Sequence, residues 1–225
     1  MNEYRISDAR GVLDENPAVA CVDLAWARPK RNGVHVTYDT HSPPELWDFV
    51  DAAMESLQEG GWAFFDADDW LLPRLITHLQ DEWGDVASTY KGGGYRRTGT
   101  VVYEGHPGGG HYFTNAGYHV VMAHKGETDR ATSCPSKVIT PRVPRDVRQE
   151  IEWGTLKPIE PYRRWIDAVT EPGELVYVPC AGTAPAAIAA EQIGREWIAV
   201  DSEQDAKDAY EQREELQAIS EQTTL

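Results

Sequence analysis

Between Val178 and Ala190 the chain reads VPCAGTAPAAIAA, a glycine turn running into a row of small residues. Glycine at such a point lets backbone approach a ligand closely, and small side chains let the following helix pack tightly on a sheet. Asp201 stands 19 positions after Gly182, at the end of the apolar run REWIAVD. A glycine turn followed at that interval by a strand-end carboxylate is an arrangement that holds a nucleoside, with the carboxylate on the ribose hydroxyls. Cys180 and Thr183 lie in the same turn and count with Gly182 and Asp201 as candidate ligand contacts. A pyrophosphate seated on the helix N-terminus calls for further glycines, and Ala184 stands where the second would be. A nucleoside without phosphates fits better, and S-adenosyl-L-methionine is such a ligand. Taken alone, the pattern equally suits a strand-turn-helix unit that binds nothing. A second acid, Asp23, closes the apolar run Ala18 to Val22. The carboxyl ends of strands are where open α/β sheets place their chemistry.

Such residues need a sheet to position them. LVYV, Leu175 to Val178, follows the turn Pro172-Gly173 and is predicted to be a buried parallel strand. Thr183 is predicted to cap the next helix, with Pro185 in its first turn and Gly194 at its end. REWIAVD is the next strand, and AVACVDLAWARP holds another, broken at Arg28-Pro29. PPELWDFVDAAMESLQEGGWAFFDADDW reads as helix, Gly-Gly turn, strand and acidic loop, with Asp66, Asp68 and Asp69 expected to be solvated. LLPRLITHLQDEWG is an amphipathic helix. The expectation is one α/β domain over residues 1–225 with a protruding segment.

Composition narrows the setting. Asp and Glu number 37 against 21 Lys and Arg, giving a net charge of −16, and six of the basic residues are lysine. Acid excess with scarce lysine points to molar internal salt, in the cytoplasm of an extreme halophile or of its virus-infected host. An ordinary acidic cytosolic protein is the alternative. Cys21, Cys134 and Cys180 show no paired spacing, so neither a disulfide framework nor a metal site is indicated. His106 with His111, and His119 with His124, are five apart, which no common helical metal motif needs, and they are read as polar surface or loop residues. No signal-like segment opens the chain and no apolar run approaches membrane-spanning length, so a soluble intracellular protein with no membrane partner is expected.

In order and spacing these pieces resemble the amino-group DNA methyltransferases of the permuted (beta) type, in which the catalytic motif precedes the cofactor motif. The family's Asp-Pro-Pro-aromatic tetrapeptide is similar to DLAW, Asp23 to Trp26, with Leu24 and Ala25 at the proline positions. The block from Trp153 to Asp201 resembles the family's Thr-x-Lys-Pro segment, Pro-Gly, Phe-x-Gly-x-Gly turn and ribose acid; Thr155, Lys157, Gly182 and Asp201 match. Val178 replaces an acid, and Ala184 replaces the second glycine, adding a methyl that a loop of small residues is expected to tolerate. YHVVMAHKGE, from Tyr118, resembles the late strand of the catalytic half. The resemblance runs from about residue 18 to 215. It implies a Rossmann-like sheet in permuted order, S-adenosyl-L-methionine as cofactor with Thr155 and Lys157 among its contacts, and double-stranded DNA as substrate.

Methyl transfer to an exocyclic amine is an in-line attack that needs positioning above all. Asp23 and the Leu24 carbonyl would accept hydrogen bonds from the amine, and Trp26 would stack on a base flipped out of the duplex. The Asp-type motif favours adenine N6 over cytosine N4. Pro179-Cys180 invites comparison with cytosine-C5 enzymes, but the cysteine lies inside the cofactor turn and would have to serve two places. Candidate phosphate contacts are Arg28, Lys30 and Arg31 beside the catalytic acid, and Lys91, Arg96 and Arg97 on a glycine loop. Lys137, Arg142, Arg145 and Arg148 join them from the segment at about 125–150, where the family inserts its target-recognition segment and where, from Lys125 to Gln149, six basic residues face three acids. A homodimer or a companion restriction subunit would complete the assembly. The alternatives are a catalytically inactive, methylase-like DNA-binding module and a methyltransferase acting on RNA or protein.

Overall fold

The computed structural model describes residues 1–24, 43–89, 91–105, 116–130, 133–151 and 153–223. The runs VACVD, WAFFDA, LVYVP and EWIAVD are buried at nearly every position, as strands covered on both faces must be. In chain order the strands are β1 (Asn2–Ile6), β2 (Val19–Asp23), β3 (Trp62–Ala67), β4 (Gly94–Tyr103), β5 (Gly117–His124), β6 (Lys137–Thr140), β7 (Leu175–Pro179) and β8 (Glu196–Asp201). The helices are α1 (Pro43–Ser56), α2 (Leu72–Glu82), α3 (Val86–Thr89), α4 (Arg145–Glu150), α5 (Glu160–Val169), α6 (Pro185–Gln192) and α7 (Gln204–Thr223).

The strands form one sheet in the order β1-β8-β7-β2-β3-β5-β4-β6. β1, β8, β7, β2 and β3 run parallel, β5 runs antiparallel between β3 and β4, and β6 pairs parallel with β4. Alternation along the strands sorts the core into two layers. Ala20, Val22, Ala63 and Phe65 meet α1 and α2 on one face, while Val19, Cys21, Trp62 and Phe64 meet the α5–α6 side on the other. From β7 the chain crosses through α6 to β8, and from β2 it crosses through α1 to β3 on the other side. The sheet order therefore reverses between β7 and β2, and the crevice outside the carboxyl ends of these two strands is where such a sheet receives a ligand.

Three expectations are corrected. The segment expected to protrude contributes β6, which extends the sheet edge because its alternating KVIT pattern half-buries against β4. Thr183 does not cap α6: the N-cap is Ala184, with no side-chain cap bond, and the Thr183 hydroxyl instead accepts a hydrogen bond from Arg213 at 2.9 Å. His119 and His124 lie on β5, and His124 is buried, its ring 5.0 Å from that of Trp62 and its Nδ1 2.8 Å from the Gly126 carbonyl. His106 and His111 lie outside the described residues. Among the described residues no helix is long and apolar enough to cross a membrane, and no group of His, Cys, Asp or Glu could hold a metal ion.

The loop from β1 to β2 carries Asp8, Ala9 and Arg10 to the crevice. Ser56, at the end of α1, holds it there: its buried hydroxyl accepts from the Leu13 N–H at 2.7 Å and donates to the Ala52 carbonyl at 2.6 Å. Ser56→Ala strands a buried backbone donor, which costs roughly 1–3 kcal/mol. Urea unfolding is expected to show a loss in that range, and an unchanged midpoint would show that the loop is held by its apolar contacts alone.

Candidate active site

Every strand that ends at the switch point supplies a group to one crevice. β2 gives Asp23 and Leu24, β8 gives Asp201, the turn after β7 gives Cys180, Gly182 and Thr183, and the approach to α5 gives Thr155 and Lys157. The turn after β7 is tied from three elements. Gly182 N–H donates to Asp201 Oδ2 at 2.9 Å, Tyr4 of β1 donates its hydroxyl to the Gly182 carbonyl at 2.8 Å, and Arg213 of α7 reaches Thr183. Asp201 Oδ1 accepts from the Glu203 N–H at 3.1 Å. Burial pushes the Asp201 carboxyl upward while the backbone donors of Gly182, Glu203 and Ser202 pull it down. A carboxylate has about four lone-pair sites, so Asp201 keeps capacity for ribose hydroxyls beside these bonds.

Cys180, Gly182 and Ala184 have φ of 53°, 50° and 42°, three left-handed residues in one short turn. Ala184 is fully buried. Its methyl is therefore accommodated, and what it costs is conformational, about 1–2 kcal/mol for a non-glycine residue in that region. A Cβ at Gly182 would lie 3.2 Å from Trp153 Nε1, so the indole lies directly over the turn. The crevice measures about 160 Å³, below the roughly 300–1,000 Å³ typical of small-molecule pockets, and Trp153 is part of its wall. Asp201 as acceptor and the Thr155 hydroxyl as donor or acceptor are groups that a nucleoside such as that of S-adenosyl-L-methionine could use there. Gly182, whose own polar atoms are taken up by Asp201 and Tyr4, offers close approach of backbone once the indole swings aside.

Beside the turn lies an acid pair. Asp23 and Asp66 are register partners on the parallel strands β2 and β3. Lys157 Nζ lies 2.7 Å from Asp23 Oδ2 and 2.8 Å from Asp66 Oδ2, and 4.6 Å from the centre of the Tyr118 ring. Tyr162 donates its hydroxyl to the same oxygen of Asp66. Asp66 was expected to be a solvated loop acid, but it is 2 % exposed; Asp23 is the carboxylate that faces the crevice, at 42 %. Burial raises the Asp66 carboxyl to about 6, with Lys157 opposing and Asp23 reinforcing the shift. Burial alone would lower Lys157, but the two carboxylates raise it, so it stays charged. Arg213, buried on α7, donates to the Lys157 carbonyl at 2.6 Å as well as to Thr183, and burial lowers its guanidinium to about 10. Asp66 and Arg213 were missed in the sequence; the signal for Asp66 was the one used at Asp23 and Asp201, an acid closing an apolar run.

Ala25, Trp26, Arg28, Lys30 and Arg31 lie outside the described residues. Leu24 is buried at the end of β2 and Thr155 is exposed in the crevice wall. Arg142 stacks on Tyr103, 4.8 Å from the ring centre, and the charges of Lys157, Asp66 and Asp23 act on that phenol too, so Arg142 stands near the acid pair. Arg145 and Arg148 lie on α4, Arg148 donating to the Val143 carbonyl at 3.1 Å, and Lys137 is exposed on the edge strand β6. Lys91, Arg96 and Arg97 are not brought to the crevice. Arg96 and Arg97 lie on β4 rather than on a glycine loop, at the end of the sheet where β4 meets His124 and His124 meets Trp62. Asp66 is four residues farther along β3, about 13 Å at the rise of a strand.

No family model matches the sequence, and no curated protein does. Solved structures do match. The M1.HpyAVI complex with S-adenosyl-L-methionine aligns with a TM-score of 0.68 at 12% identity, over 95% of this chain and 98% of that one. The PvuII DNA methyltransferase, cytosine-N4-specific, aligns with a TM-score of 0.70 at 15% identity, over 94% and 86%. TTHA0409 of Thermus thermophilus, a candidate DNA modification methylase in complex with S-adenosyl-L-methionine, aligns with a TM-score of 0.59 at 14% identity, over 93% and 91%. The chain has the fold of these methyltransferases. At these identities the likeness is one of fold, and the expected Rossmann-like α/β sheet is borne out.

The acid pair carries a pH signature. Asp66 sits near 3.8 when solvated and at about 6 in the fold, so the folded chain holds its proton more tightly than the unfolded one. Its contribution to stability is fully present below about 4 and is lost as pH rises through about 6. Asp66→Asn has no such proton. Denaturant midpoints taken across this window are expected to fall in the wild type relative to the variant, and parallel profiles would show that Asp66 titrates normally.

Proposed function

We propose that the chain is an S-adenosyl-L-methionine-dependent methyltransferase acting on an exocyclic amine of double-stranded DNA, adenine N6 in preference to cytosine N4. One observation carries the reading: the strand-end acid Asp23 and the glycine turn with Asp201 open on a single crevice at the point where the sheet order reverses. The fold shared with M1.HpyAVI and the PvuII enzyme supports it. The choice of adenine rests on aspartate at position 23. In chain order Asp23 precedes the turn, as in the permuted type.

S-adenosyl-L-methionine supplies a methyl group activated on sulfonium sulfur. The chain's own residues position the reactants. Asp201 accepts the ribose hydroxyls, the Gly182 backbone approaches the ligand, and Thr155 borders the site. Asp23 and the Leu24 carbonyl accept hydrogen bonds from the amine, which helps to localise its lone pair on nitrogen. Lys157 holds Asp23 by one oxygen. Two carboxylates around one ammonium leave the cluster net negative, so Asp23 remains an acceptor although it is ion-paired. Trp26 is our candidate for stacking on the flipped base, and the segment at 125–150, led by Arg142, for target contact within a single domain. The acidic composition fits a halophile's cytoplasm, and a restriction partner or a second copy would supply recognition that a short segment lacks.

A methylase-like module without activity is the second reading, favoured by the narrow crevice beneath Trp153. Calorimetry with S-adenosyl-L-methionine separates the two. Asp201→Asn keeps an acceptor for the Gly182 N–H and gives up the charge, so affinity is expected to fall roughly tenfold. Asp23→Ala is expected to leave that affinity nearly intact and lower transfer of labelled methyl to DNA by roughly a hundredfold or more. Activity above a tenth of wild type in Asp23→Ala would sink the catalytic assignment, and no cofactor binding by the wild type would sink the enzyme reading.

A further inference from the structure

The basic stretch KGGGYRR, distant from the crevice, borders a cavity of its own. This cavity of about 590 Å³ opens between the first residues of β3, the start of β4 and α5. Its volume lies within the roughly 300–1,000 Å³ of small-molecule sites. Trp62, Phe64, Met122 and Trp165, all buried, form its floor. The Phe64 and Trp165 rings lie 5.9 Å apart and those of Trp62 and Phe64 6.4 Å. Burial lowers His124 beside them, so the imidazole there is neutral near neutral pH.

The rim has the opposite character. Four Lys or Arg and one acid, Glu127, line the cavity in a chain where acids outnumber bases 37 to 21. Arg130 is held by Glu174 at 2.6 Å, whereas Lys91 and Arg97, both exposed, have no ion-pair partner among the described residues. Backbone geometry concentrates the charge. The pairing of β4 with β5 slips between Tyr95 and Arg97, so Arg96 is an extra residue in the strand. Successive residues of a regular strand face opposite sides, but across this bulge Arg96 and Arg97 border the same cavity. A hydrocarbon would not need the cations, and a bare inorganic anion would not need the aromatic floor. A ligand with a flat unsaturated ring and an anionic group uses both.

We propose that this cavity is a second binding site, for a nucleotide, with the base over the floor of Trp62, Phe64 and Trp165 and the phosphate between Lys91 and Arg97. The site stands on this cavity alone and does not depend on the methyltransferase reading. The nucleotide is either a free monophosphate or an unpaired residue of a single strand, and the chemistry is the same. Loss of the cations leaves the fold intact, because both are exposed.

Calorimetry on the full chain with thymidine 5′-monophosphate tests it, with inorganic phosphate, thymidine and a short oligothymidylate in parallel. The wild type is expected to bind the monophosphate at one site, at least tenfold tighter than either phosphate or thymidine. Lys91→Glu with Arg97→Glu is expected to weaken it at least tenfold, while Asp201→Asn, in the crevice, leaves it unchanged. Tighter binding of the oligonucleotide identifies a strand as the source, and equal or weaker binding a free nucleotide; each agrees with the proposal. No binding of the monophosphate, equal binding of phosphate, or loss in Asp201→Asn with retention in the charge-reversed protein would each overturn it.

Discussion

The site depends on one ammonium group between two carboxylates. The register of β2 against β3 sets Asp23 beside Asp66 on strands roughly 5 Å apart, and at an effective dielectric of about 20 two such charges repel by roughly 3 kcal/mol. Lys157 resolves the conflict by pairing with both. That pairing fixes where the segment leading into α5 must run, and α5 then supplies Tyr162 to Asp66 and Trp165 against Phe64. Arg213 grips the carbonyl of the same lysine and, with another nitrogen, the glycine turn at Thr183. The acid pair and the glycine turn are thereby held in one frame, although 91 positions separate Asp66 from Lys157 and 56 separate Lys157 from Arg213.

What could be read from the sequence was whatever local pattern decides. β2, β3, β7 and β8 were legible because strands covered on both faces are apolar throughout, and Asp23 and Asp201 stood out as acids closing such runs. Asp66 closes a run as well, but Asp68 and Asp69 mask it. The three acids have three tasks: Asp66 is buried against Lys157, Asp68 accepts from the Trp70 and Leu71 N–H groups at the approach to α2, and Asp69 meets His119 at 3.1 Å. Composition cannot separate them, because the difference lies in which residue falls opposite a strand partner. Thr183 misled for a similar reason. It is a good cap by type, but the left-handed Ala184 takes the cap position and the hydroxyl goes to an arginine 30 residues away.

Basic residues show the same limit in another form. Lys91, Arg96 and Arg97 look like a phosphate-binding cluster, and they do border one cavity. The antiparallel pairing of β4 with β5 sets that cavity at the end of the sheet away from Asp23. Arg142, one of several basic residues expected to meet phosphate, comes near the acid pair because β6 joins the edge of the sheet and carries the following residues past Tyr103. Charge was legible residue by residue, while its location followed from strand order.

The turn after β7 shows how a glycine can be dispensed with. A left-handed alanine stores about 1–2 kcal/mol of strain, and Cys180 adds to it. Against this stand the hydrogen bond from Gly182 to a carboxylate, the tyrosine bond to its carbonyl and the guanidinium on Thr183. Bonds to charged groups contribute roughly 1.5–3 kcal/mol each, enough to hold the strained turn. A loop fixed in this way from β1, β8 and α7 has little freedom to open. Any widening of the crevice must then come from the opposite wall, and at Gly182 that wall is Trp153, on the link between α4 and α5. The bonds that hold the strained turn therefore assign the adaptive part of the crevice to the Trp153 segment, leaving Asp201 and Asp23 both fixed.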